Sequence, residues 1–306
     1  MKIQRAIISG ATGTIGTALT ELLVENGIEV LVLTRPDSER NHRIIQSPLV
    51  HILTRDYSNL DRIGNETGKT WDCFFHFAWA GAAGPGRNDM YLQNHNIKVS
   101  LDAVKMAWRF GCRKFVGAGS QAEYGRSNIR LTPKTPTFPE NGYGYAKLCA
   151  GYMTRELAHQ LGMEHSWLRV LSTYGLNDGV NSMIAQTIRS LGRGESLEYT
   201  GGEQIWDFIY NKDAAQAFFR VAEKGHDGKV YILGSGHERP LREYLEITRD
   251  IVAPKVELKL GVRPYSENQI MYLAADNTEL VRDTGYEPQF SFEQGIRDMM
   301  GKDPLC

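Results

Sequence analysis

Tyr143 and Lys147 stand four residues apart in NGYGYAKLCAG, residues 141–151. On a helix that spacing brings a phenol and an ammonium to one face, whereas Tyr145 and Lys147 point apart. A free tyrosine has a pKa of about 10 and is a poor acid or base near neutrality. An ammonium one turn away stabilises the phenolate and brings that value toward the working range. Upstream, KFVGAGSQAEYG reads as a buried strand closing on small residues, with Ser120 at its carboxyl end, the end at which open α/β sheets bind ligands. Ser120, Tyr143 and Lys147 are therefore the candidate catalytic set. For an isolated pair the plain alternative is a core tyrosine beside a solvated lysine.

A third motif names the partner of that chemistry. IISGATGTIGTAL spaces Gly10, Gly13 and Gly16 three residues apart, directly after a strand and at the opening of a helix. Glycine there permits a tight turn, lets backbone N–H groups approach a pyrophosphate and lets helix and sheet pack closely. The turn, with Thr12 and Ile15 between its glycines, is a candidate dinucleotide site. At the end of the second strand an acid would suit the ribose hydroxyl of NAD, and an arginine the 2′-phosphate of NADP. The chain carries Arg35 there, with Arg40 and Arg43 nearby, so NADP is the expected coenzyme and NAD the alternative. Asp56, closing the third strand, is a candidate partner for the adenine amine. With a nicotinamide alongside, Tyr143 would move the proton while hydride passes between coenzyme and substrate carbon. Ser120 would hold the substrate oxygen and Lys147 the nicotinamide ribose.

These residues need a frame. Strand-like apolar runs (RAIISG, EVLVLT, VHILTRD, CFFHFAWA, KFVGAGS, SWLRVL) alternate with helix-length segments at 14–26, 91–110 and 143–161. Near-continuous apolar strands separated by helices imply a parallel sheet covered on both faces, a doubly wound α/β Rossmann domain. After Tyr174 the elements shorten and glycine and proline become frequent. This pattern divides the chain into a dinucleotide-binding domain over 1–175 and a smaller mixed α/β substrate domain over 176–306. The segment 207–226, containing DAAQAFFRVAEKG, is expected to return to the first domain.

Composition narrows the class further. The 306 residues, 42% of them apolar, suffice for a full core, and 35 basic against 36 acidic residues leave no field to hold nucleic acid. Cys73, Cys112, Cys149 and Cys306 form no CxxC pair, which favours reduced thiols and a cytoplasmic location. Cys149 reads as a small apolar group, and Met299 with Met300 as helix packing. MKIQRAIISG runs straight into a strand and no apolar stretch is long enough for a membrane span, so neither export nor membrane association is expected. The eight histidines show no zinc spacing, and no metal is expected.

Across nearly its whole length the chain resembles the extended short-chain dehydrogenase/reductase superfamily, in its nucleotide-sugar epimerase, dehydratase and reductase branch. The resemblance rests on GATGTIG, FHFAWAG, HNIKVSLDAV, GSQAEYG, YGYAK, LRVLSTYG, WDFIYNKDAA and GVRPYSENQ. It implies that Ser120, Tyr143 and Lys147 are catalytic, that Ala78 lies along the coenzyme and that Asn96 steadies the sheet and active site. It also implies that Arg263 meets the diphosphate of a nucleotide-diphosphate sugar. Trp79 and Arg87 fall in a loop expected over the sugar pocket. Helices near 91–110 and 143–161 would pair two copies into a homodimer.

Departures from the family pattern select among reactions. The Asp–Glu pair of the sugar 4,6-dehydratases is replaced by Gln121 and Ala122, which disfavours water loss. Glu123, one residue on, should face another way. Trp206 stands where many relatives have an arginine, and Ser172 where they have asparagine. The pattern is most similar to enzymes of the CDP-abequose synthase type, which reduce a 4-keto-deoxysugar. A 4-epimerase with retained NAD is the alternative, and a dinucleotide-binding sensor without turnover a further one.

Overall fold

The computed structural model describes residues 1–36, 38–179 and 181–302; Cys306 lies outside them. Strand β1 (Arg5–Ser9) leads into helix α1 (Thr14–Glu25). The alternation continues through β2 (Glu29–Thr34), β3 (Val50–Thr54), β4 (Cys73–His76), α2 (Met90–Arg109), β5 (Lys114–Ser120), α3 (Gly142–Gln160) and β6 (Glu164–Val170). Then come β7 (Ser172–Tyr174), α4 (Met183–Gly192), β8 (Ile205–Trp206), β9 (Phe208–Tyr210), α5 (Asn211–Lys224) and β10 (Lys229–Leu233). The chain closes with β11 (Arg239–Pro240), α6 (Leu241–Val252), β12 (Tyr272–Leu273), α7 (Thr278–Thr284) and α8 (Phe292–Lys302).

The main sheet has seven strands in the order β10-β6-β5-β4-β1-β2-β3, and every pairing in it is parallel. Its inner strands are apolar on both faces because helices cover both, whereas the edge strand β3 leaves His51, Ile52 and Thr54 exposed. Ile8, Leu19, Val32, Phe218 and Leu280 are buried in one layer; Phe74, Val104, Phe115 and Met163 are buried in the other. The doubly wound fold expected from the alternation is thus present. The seventh strand was not foreseen: β10 lies in the part of the sequence where short elements dominate, yet pairs with β6 from Lys229↔Ser166 to Leu233↔Val170. A strand that follows a crossover helix returns naturally to the same sheet.

A third apolar cluster joins Tyr174, Ile184, Tyr244, Phe292 and Met299 beyond the carboxyl ends of the sheet. Asp207 ties that region together. Its carboxylate accepts from the Ser235 amide at 2.7 Å, the Ser235 hydroxyl at 2.6 Å, the Gly236 amide at 3.2 Å and the Ala275 amide at 3.3 Å. Burial raises this carboxyl above its ordinary value while those donors oppose the shift.

Candidate active site

The glycine turn shows why its residue types are required. Gly10 has φ of +76°, and a Cβ there would stand 2.6 Å from the Ala78 amide nitrogen. A Cβ on Gly16 would lie 2.3 Å from the Gly10 carbonyl oxygen, so the first turn of α1 packs directly on the loop. Gly13 precedes α1 with no side-chain cap, leaving the opening N–H groups of the helix to other acceptors.

In front of this turn lies a cavity of about 390 Å³, lined by Gly10, Thr12, Gly13, Arg35, Arg40, Asp56, Ala78, Trp79 and Asn96, among others. Ile15 and Gly16 are not on that wall: Ile15 packs on the core and Gly16 is buried in α1. Arg43 turns toward the loop, donating to the Thr12 carbonyl at 3.4 Å and the Asn177 carbonyl at 3.2 Å. Arg35 and Arg40 remain at the cavity. The Asp56 carboxylate accepts from the Ser58 amide at 2.9 Å, and that bond lowers its pKa. Asn96 clamps the loop after β4, accepting from the Ala80 amide at 3.0 Å and donating to the Ala80 carbonyl at 2.8 Å.

Ser120, Tyr143 and Lys147 are outside the lining of that cavity, and Trp79, which is part of it, packs against Tyr143 and Lys147. Asn141 caps α3 by accepting from the Gly144 amide at 2.9 Å, which sets Tyr143 in the first turn and Lys147 in the second. The Lys147 amine donates to the Ala118 carbonyl at 2.7 Å. It lies 3.8 Å from the Trp79 ring centre and 5.8 Å from that of Tyr143. Trp79 meets the Tyr143 ring edge-on, with centroids 6.0 Å apart. Burial pushes the Lys147 amine down to about 7, with the charge of Glu123 opposing. The same burial raises the Tyr143 phenol; hydrogen bonding with Ser120 and the charge of Arg87 pull it part of the way back. The helical spacing alone points to a phenol pulled down by Lys147. In the folded chain the amine is engaged by Ala118 and Trp79, and desolvation dominates both groups.

Glu123 is committed elsewhere. Its carboxylate accepts from the Ser120 amide at 2.9 Å, from the Trp167 indole at 3.0 Å and from Arg169 at 2.6 Å. With Gln121 and Ala122 beside it, the turn after β5 offers no free carboxylate. A second cavity, about 550 Å³, is lined by Ser172, Gln186, Tyr199, Trp206 and Arg263, among others. There the Trp206 indole donates to the Ser172 hydroxyl at 2.8 Å, so the two positions that depart from the family pattern satisfy one another. Among the described residues, no group of three or more His, Cys, Asp or Glu side chains could hold a metal. No described helix is long and apolar enough to cross a membrane.

The profile of the family described as NAD dependent epimerase/dehydratase matches residues 6–234. The chain belongs to this family. The resemblance drawn from its motifs is therefore correct, and the protein is an enzyme of the epimerase/dehydratase class. A similar curated relative is CDP-abequose synthase of Salmonella typhimurium, 24% identical over 97% of this chain and 97% of its own length. Among solved structures, a UDP-N-acetylglucosamine 4-epimerase from Methanobrevibacter ruminantium in complex with UDP-N-acetylmuramic acid aligns with a TM-score of 0.87. It is 23% identical and covers 98% of each chain. RMD from Pseudomonas aeruginosa complexed with NADPH aligns with a TM-score of 0.78 at 19% identity, covering 97% of this chain and 98% of its own. At these identities the two structures attest to the fold.

Several residues around the site of this epimerase/dehydratase escaped the sequence reading. His76 is buried in β4, with Nδ1 2.8 Å from the Ser9 hydroxyl and Nε2 3.0 Å from that of Ser100. Burial lowers its pKa to about 3, so it serves as a neutral link between β1, β4 and α2. Gln93, also buried, accepts from the Trp79 indole at 2.9 Å and donates to the carbonyls of Gly81 at 3.0 Å and Gly86 at 2.8 Å. The available signal was its place one helical turn before Asn96, on the same inward face.

Proposed function

We propose that the protein is an NADP(H)-dependent reductase that converts a 4-keto-6-deoxy nucleotide-diphosphate sugar to its 4-hydroxy product. The observation that carries this reading is the gathering of Ser120, Tyr143 and Lys147 next to Trp79, which lines one cavity together with Arg35 and Arg40. In this reading the glycine turn and the uncapped start of α1 receive the pyrophosphate, and the two arginines receive the 2′-phosphate. The coenzyme, when bound, supplies hydride to the carbonyl carbon. Ser120 hydrogen-bonds the substrate oxygen, and Tyr143 delivers the proton to it as hydride arrives. Lys147 would hold the nicotinamide ribose. Arg263, exposed at the second cavity, meets the diphosphate.

The absence of a free carboxylate after β5 supports reduction over dehydration. CDP-abequose synthase, by its name a synthase of a CDP-sugar, supports the substrate class, and the structure complexed with NADPH supports the coenzyme. Exposed Tyr91 and Trp108 on α2, with Tyr145 and Tyr152 on α3, support a homodimer through those helices.

The test is a spectrophotometric panel: NADPH with 4-keto-6-deoxy sugars carried on different nucleoside diphosphates. Consumption of NADPH in step with a 4-hydroxy product is expected with at least one of them. No turnover across the panel overturns the proposal. Copurifying nicotinamide, with gluco and galacto sugars interconverting without added coenzyme, would establish a 4-epimerase instead.

A further inference from the structure

We infer that Arg87, on the turn after β4, is the positioning residue that stabilises the ionised form of Tyr143 through its ring face, the part that helical spacing assigns to Lys147. The guanidinium carbon lies 4.4 Å from the Tyr143 ring centre. A cation on an aromatic face is attracted by the ring's quadrupole, and the attraction grows when the phenol loses its proton and the ring shares the negative charge. The interaction therefore favours the phenolate over the phenol.

The turn is built to hold that contact. Arg87 donates to the Ala82 carbonyl at 3.0 Å, and Asn88 accepts from the Gly142 amide at 3.1 Å, one residue before Tyr143. Gln93 pins the same turn through Gly81 and Gly86. Among the described residues, no carboxylate forms an ion pair with Arg87, so its charge is not neutralised locally.

The other groups facing the phenol do not fill this part. Lys147, on the phenol's own helix, is farther from the ring, donates to Ala118 and sheds its proton near neutrality. Glu123, from the turn after β5, opposes ionisation, and Ser120 at the end of β5 favours it as a neutral partner. A guanidinium keeps its charge at every pH the fold survives.

The inference rests on Tyr143 being the acid–base group, but its test reads the phenol without turnover. Protein labelled with 13C at tyrosine Cζ is titrated from about pH 7 to about pH 12. Loss of one resonance in Tyr143→Phe assigns the signal. In Arg87→Met, and in Arg87→Gln, which keeps a donor for Ala82, the midpoint is expected to rise by about one pH unit, tenfold less phenolate at a fixed pH. Arg87→Lys should recover part of the shift. A midpoint that the neutral variants leave in place overturns the inference, and so does a wild-type Tyr143 that stays protonated to the end of the titration. Inactivity toward every sugar in the reductase panel leaves this measurement intact, so the two readings fail separately.

Discussion

The Lys147 amine rests 3.8 Å from the centre of the Trp79 indole. Trp79 thus separates the ammonium from the cavity in front of the glycine turn, whose wall it helps to form. The contact explains how a buried lysine that no described carboxylate pairs with directly is tolerated: the indole face and the Ala118 carbonyl replace part of its lost hydration.

That environment has a pH signature. The folded-state pKa of Lys147 is lowered from 10.5 to about 7. Between those values the unfolded chain holds a proton that the folded chain lacks, so folding stability rises with pH across this window; below it, both states are charged and the full burden of burying the ammonium remains. Lys147→Met should therefore be more stable relative to wild type at about pH 6 than at about pH 9.5. Urea midpoints of both proteins at the two pH values check this; a difference independent of pH contradicts it.

Removing the phenol should separate chemistry from binding. Tyr143→Phe is expected to lower turnover about 10²- to 10⁴-fold, the range for loss of a positioned acid–base group. Coenzyme affinity, measured by calorimetry, should stay within error of wild type. Retention of full function by this variant would point to a sensor without catalysis.

Coenzyme choice should follow the arginine after β2. Arg35→Ala is expected to weaken NADPH binding about 10- to 100-fold through loss of charge-assisted bonds to the 2′-phosphate. NADH binding should change little. Equal weakening of both, by fluorescence titration, would mean that Arg35 does not read that phosphate.

The Glu123–Arg169 pair beneath Ser120 is a matter of stability. Its side chains are 1% and 5% exposed. Glu123→Gln leaves a buried guanidinium without its counter-charge and should lower stability by about 3–5 kcal/mol. Chemical denaturation measures this directly, and a loss below about 1 kcal/mol would mean that water or a rearranged neighbour compensates.

The parallel Rossmann sheet and the family were legible in the chain itself. An apolar run that is continuous rather than alternating declares a strand covered on both faces, and the Gly10, Gly13 and Gly16 spacing declares a turn against a helix start. The return of β10 to the sheet was not legible. Five residues, KVYIL, fit a strand in either region, and only the pairing with β6 distinguishes them.

The same division runs through the site. The sequence determined that Tyr143 and Lys147 share one face of α3, because helical period is a local property of backbone dihedrals. What surrounds the two was decided by tertiary structure: the Ala118 carbonyl and Trp79 on the amine, Arg87 on the phenol ring, Glu123 turned into its own buried pair. Those contacts join residues far apart in the chain through turns whose course is set by packing and by buried donors such as Gln93. Burial, the largest influence on both ionisable groups, exists only once the chain has closed around them.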